Sequence, residues 1–170
     1  MKLNIQRGSI LVAGAIAALV LSTGIAQAQS FSAKLSGFDE VPSVLSNSAG
    51  TLAIVLGSTT LTYTLTFSKL STSATQSHIH FGKSRTVGDV LVFLCGGGGS
   101  PACPASGGMV TGTITAANVL GPPSQGVPPG DFAALAEAFN ADAAYVDIHT
   151  ATFPTGEIRG QIHRGDVEDE

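Results

Sequence analysis

Leu61-Thr62-Tyr63-Thr64-Leu65-Thr66-Phe67 alternates apolar and hydroxyl side chains without a break. Successive side chains on an extended backbone point to opposite faces. Leu61, Tyr63, Leu65 and Phe67 therefore make one apolar face, and Thr62, Thr64 and Thr66 the other. Immediately upstream, Gly57-Ser58 suits a tight turn joining Gly50–Leu56 to Thr60–Phe67 as a hairpin. Further back, Phe31, Ala33 and Leu35 alternate with Ser32, Lys34 and Ser36 in the same period of two. Downstream, Thr75–Phe81, Asp89–Leu94, Met109–Thr115, Ala143–Thr150 and Glu157–His163 are the remaining strand candidates, for about eight in all. Short strands at this spacing predict an all-β fold, an antiparallel Greek-key-type sandwich or barrel.

One segment departs from that pattern. After the Pro/Gly-rich stretch Gly121–Gly130, Asp131 is placed to cap a short helix with Phe132, Leu135 and Phe139 on one side. Alanines fill most of the other positions and favour helix. Its apolar side is expected to pack over one end or edge of the sheet.

The N-terminus is ordered as a signal peptide over residues 1–28. Lys2 and Arg7 give a positive start, Ile10–Leu21 is an apolar or small-residue run of 12, and Ala26-Gln27-Ala28 suits cleavage. That run is short of the roughly 20 residues a membrane-spanning helix needs. Cleavage after Ala28 would leave 142 residues with six basic and twelve acidic side chains, and one ordinary domain. With a net charge near −6, nucleic acid is a poor partner. The expected location is periplasmic or secreted, with the mature domain outside the membrane. Residues 165–170 are acidic, short of apolar groups and expected to be a disordered tail.

Cys95 and Cys103 bracket Gly96-Gly97-Gly98-Gly99-Ser100-Pro101-Ala102. So close a pair in an oxidising compartment is expected to be disulfide-bonded. The glycine run lacks the Lys-Ser/Thr of a phosphate-binding loop and reads as a flexible loop closed by that bond.

Three blocks, in order and covering most of the chain, resemble the CHRD domain family, the module repeated in chordin and found singly in bacterial exported proteins. They are Leu35-Ser36-Gly37-Phe38-Asp39-Glu40-Val41-Pro42; Leu61–Thr66 running on to His78-Ile79-His80; and Tyr145–Thr150 followed by Pro154–Ile162. The resemblance places the domain at 29–164 and implies an all-β extracellular module without a settled activity.

Four histidines in so uncharged a chain carry the chemistry. His78 and His80, two apart on a strand, project from one face, and Asp147 and His149 repeat that spacing on another. Imidazole ligands suit copper and zinc. His78, His80 and His149 are therefore the candidate metal ligands, with His163 a possible fourth, and their ring nitrogens should lie within roughly 3–4 Å of one another. Asp147 would orient a ring through its second nitrogen. Leu70 with His78-x-His80-Phe81-Gly82, then Val146–His149 and Arg159, is also similar to the copper strand order of Cu/Zn superoxide dismutase. That family's long zinc loop is missing between His80 and Val90. Glu157 and Arg159 share a face by the period of two and are expected to form an ion pair, with Arg159 also suited to an anion. The alternative role for each histidine is to hydrogen-bond backbone carbonyls and close a polar end of the sheet.

No G-x-S-x-G and no paired carboxylates stand out. The chain thus reads as a non-catalytic extracytoplasmic binding module whose partner is a protein or a metal ion. The second reading is a copper (or zinc) protein, a carrier or a weak dismutase-like redox protein. A purely structural surface module is the third.

Overall fold

The computed structural model describes residues 27–165. The expected signal peptide up to Ala26, and the acidic tail beyond Gly165, lie outside the described residues. Nine strands form one antiparallel sheet: β1 Gln29–Ser36, β2 Ala49–Leu56, β3 Leu61–Ser68, β4 Ala74–Phe81, β5 Val90–Cys95, β6 Gly108–Ile114, β7 Ala144–Thr150, β8 Ile158–Gln161 and β9 His163–Arg164. Their order across the sheet is β5-β4-β7-β8-β1-β2-β3-β6, with β9 paired to β1. The two ends, β5 and β6, lie beside each other, and Tyr63 on β3 donates to Leu94 O on β5 at 2.6 Å. The result is a nearly closed barrel. Closure leaves little unpaired strand edge exposed.

The β2–β3 hairpin pairs Leu56 with Leu61 and Ala49 with Ser68 in unbroken register. Its turn is the four residues Gly57–Thr60, closed by Gly57 N donating to Thr60 O. Leu61, Tyr63, Leu65 and Phe67 are buried as their alternation requires. They join Phe31, Leu52, Ile54, Ile79, Leu91, Leu94, Ile148 and Ile158 in one continuous core.

The expected strand Glu157–His163 divides. Ile158–Gln161 pairs with β7, Ile162 turns its side chain into the core and donates its N–H to Ala144 O, and His163–Arg164 switches to β1. Eight strand candidates thus become nine strands.

Helix α1, Phe132–Asn140, begins at Asp131, whose side chain accepts from Ala134 N. Phe132, Leu135 and Phe139 are buried, and the Phe139 ring lies 5.4 Å from Phe31, so the helix plugs the barrel beside β1. Cys95 and Cys103 are joined and close the loop after β5. No helix among the described residues is long and apolar enough to cross a membrane.

Candidate metal centre

The antiparallel register of β4 and β7 builds the site. His78 stands opposite Asp147, His80 opposite Tyr145, and Gln76 opposite His149. With Ile79, Val146 and Ile148 committed to the core, the period of two sends His78, His80, Tyr145, Asp147 and His149 to the opposite face of the sheet. The β4–β5 pairing is irregular at Ser77/His78 and at Ile79/His80. Such bulges re-aim side chains near functional sites.

Donor atoms of His78, His80, Asp147 and His149 all lie within 4.8 Å of one another. His78 Nδ1 is 3.1 Å from His149 Nε2 and 3.6 Å from Asp147 Oδ1. His80 Nε2 is 3.2 Å from Asp147 Oδ2, and His149 Nε2 is 3.3 Å from Asp147 Oδ1. Asp147 is therefore one of the converging donors, where the sequence reading had it behind a ring. Two backbone carbonyls do the orienting instead. His80 Nδ1 donates to Gly88 O at 2.9 Å, and His149 Nδ1 donates to Pro154 O at 3.0 Å.

A carbonyl can only accept, so both Nδ1 atoms carry the hydrogen and both Nε2 atoms turn toward the carboxylate. In neutral rings the His149 Nε2 lone pair can accept from His78 Nδ1 at 3.1 Å, while the His80 Nε2 lone pair is set against Asp147 Oδ2. A proton or a cation between His80 Nε2 and Asp147 makes that contact favourable. His80 Nε2 and Asp147 Oδ1 in the cluster are buried with no hydrogen-bond partner, as are His78 Nε2 and the side-chain oxygens of Gln29, Glu40 and Gln161 elsewhere; two such atoms facing each other can accept a proton or a cation. Three imidazoles and one carboxylate, with outer carbonyls fixing two of the rings, fit a first-row transition metal.

The electrostatics agree with that crowding. Burial alone would raise the Asp147 carboxyl, but the imidazoles of His149, His78 and His80 outweigh it and hold it well below the usual range. Burial would lower His149, yet the Asp147 carboxylate and the Pro154 carbonyl raise it. Glu40 is pushed up to about 7 by burial and by the charge of Asp147.

Tyr145 stacks flat on His80, with ring centroids 4.8 Å apart and planes 4° apart. The Arg159 guanidinium lies 3.4 Å from the Tyr145 ring centre, a cation–π contact, and donates to Lys83 O. The expected ion pair of Arg159 with Glu157 does not form. Glu157 precedes β8, and its carboxylate accepts from Ser46, Ser48, Ser71 and Thr150 instead. His163 also stands apart: its side chain is exposed and 3.4 Å from Asp142, so the expected fourth ligand is not in the cluster. Glu40, in the first block that carried the family resemblance, is a buried carboxylate coupled to the charges of Asp147, Arg159 and His149 that sequence reasoning did not single out.

The fold and this face together define an antiparallel β-barrel module bearing a three-histidine, one-aspartate cluster. The chain belongs to the CHRD domain family, which matches it over residues 31–162 and so takes in β1 almost to β9. No curated protein matches the chain.

Proposed function

We propose that this CHRD-domain protein is an exported binding module whose ligand is a first-row transition-metal ion, copper or zinc, held by His78, His80, Asp147 and His149. One observation carries the reading: the carbonyls of Gly88 and Pro154 fix the tautomers of His80 and His149, so that two Nε2 atoms and a buried carboxylate face one another. Metal-ligating histidines regularly donate their second nitrogen in this way. The charged start and apolar run of the N-terminus support export. The Cys95–Cys103 disulfide suits an oxidising compartment, and β1 begins at Gln29, so cleavage after Ala28 would spare every strand.

Elemental analysis of protein purified from the periplasm, followed by titration with Cu(II), Cu(I) and Zn(II), tests this. Micromolar or tighter binding is expected. His80→Ala should abolish it and His163→Ala should leave it as in the wild type. Binding should weaken as pH falls, since each imidazole must be neutral to ligate. Absence of tight binding by any of the three ions would overturn the reading.

A further inference from the structure

The barrel buries two glutamates beside this face, and they are treated very differently. Glu157 is saturated by donors from Ser46, Ser48, Ser71 and Thr150. Glu40 is 8 % exposed; the Val41 N–H favours its charged form, yet its buried Oε1 has no hydrogen-bond partner. A buried carboxylate oxygen without a partner is costly; burial and the like charge of Asp147 outweigh the favourable charges of Arg159 and His149 at Glu40.

The backbone is arranged to keep Glu40 in that place. It lies in the loop between β1 and β2, which is folded tightly by Val44 N donating to Gly37 O at 2.7 Å and Ser43 Oγ donating to Phe38 O at 3.0 Å. The far end of the loop is tied down by Ser46 and Ser48 on Glu157. Room for the carboxylate comes from Gly156: a Cβ there would sit 2.5 Å from Glu40 Oε1 and 2.8 Å from Oε2. Gly156 also has φ +126°, a conformation that L side chains rarely adopt. It belongs to the same turn as Pro154, whose carbonyl orients His149. Glu40 is thus pressed against the support of one proposed ligand while lying outside the compact set of four.

We propose that Glu40 is a fifth metal-binding side chain, a carboxylate that the β1–β2 loop brings onto the ion held by the cluster. The proposal rests on the metal reading above. A divalent ion with one carboxylate leaves an uncompensated positive charge in a buried site, and neighbouring Arg159 adds to it. A second carboxylate offsets that charge, and the ion supplies the partner that Oε1 lacks. Metal binding would then fasten the β1–β2 loop to β7 through Glu40.

The test is Glu40→Gln, which keeps the shape of the side chain and removes its charge, with Glu40→Asp and Gly156→Ala as independent variants. Asp39→Asn, an exposed neighbour in the same loop, is the control. Affinities for Zn(II) and Cu(II) are measured by competition with a chromophoric chelator, and the Cu(II) site is read by its paramagnetic resonance and visible spectra. Hydrogen exchange of the amides of residues 37–44 is followed with and without Zn(II). Glu40→Gln should weaken binding about 10–100-fold, the range for losing a supporting group at a metal site, and should change the Cu(II) spectrum. Glu40→Asp and Gly156→Ala should weaken it in the same direction, Asp39→Asn should not, and Zn(II) should slow exchange in the loop of the wild type alone. Wild-type protein that binds metal while Glu40→Gln binds it equally well with an unchanged spectrum would overturn the role of Glu40 and leave the cluster standing. Wild-type protein that binds no metal would overturn both. If Glu40→Gln does not fold, the Glu40→Asp and Gly156→Ala affinities decide the matter by the same criteria.

Discussion

Glu157 shows how much of this domain depends on single side chains. Burial would raise its carboxyl, but hydrogen bonds from Ser48, Ser71 and Thr150 outweigh that and bring it down to about 2. A carboxylate held lower in the fold than in the unfolded chain stabilises above the unfolded value and loses that contribution as pH falls. The loss should therefore run from about pH 4.5 down to about 2. Replacing Glu157 by Ala would strand the hydroxyls of Ser48, Ser71 and Thr150, and should cost roughly 3 kcal/mol or more at neutral pH by chemical denaturation. A loss under about 1 kcal/mol would mean that water satisfies those donors. None of this was legible in the sequence. The period of two gave Glu157 and Arg159 a common face, but Glu157 lies before β8 begins and answers to serines more than eighty residues away.

The elements themselves follow local pattern closely. In β3 the buried positions are those that the alternation of Leu and Thr selects. Leu65, fully buried, should cost ~2–5 kcal/mol when replaced by Ala, while Thr66→Ala on the exposed face should stay within about 0.5 kcal/mol. Comparable losses at both positions by urea denaturation would contradict the assignment of faces. The helix was legible for the same reason: the Asp131 cap and the spacing of Phe132, Leu135 and Phe139 act within a few residues. The break at Ile162 was not, because its cause is a hydrogen bond to Ala144 on another strand.

For the whole molecule the charged cluster sets a pH dependence. Glu40, raised to about 7, favours its protonated form in the fold, so the metal-free protein loses stability as pH rises from about 4.5 through 7. His149 is also raised; its contribution is present below its unfolded value and is lost as pH rises through the folded one. Asp147 and Glu157, both lowered, act in the other direction and are lost at acid pH. Thermal melting of metal-free protein should accordingly peak near about pH 4–5 and decline toward pH 8. Zn(II) at about 100 times its dissociation constant should restore about 2.7 kcal/mol at neutral pH. A melting temperature that is flat from about pH 5 to 8 would contradict these shifts.

The sequence by itself determined the strands other than the break at Ile162, the apolar face of the β3 strand, the capped helix, the cysteine pair and the two i, i+2 motifs that carry His78, His80, Asp147 and His149. Each depends on alternation or spacing within one stretch of backbone, where geometry is local. Only the tertiary structure decided that β4 pairs with β7 so that His78 faces Asp147. It also decided that Gly88 and Pro154 orient the rings, that His163 stands apart, and that Glu40 is buried against Gly156. Strand order and register between segments about seventy residues apart are settled by burying every apolar face at once while pairing the backbone across the barrel. No local pattern contains that information.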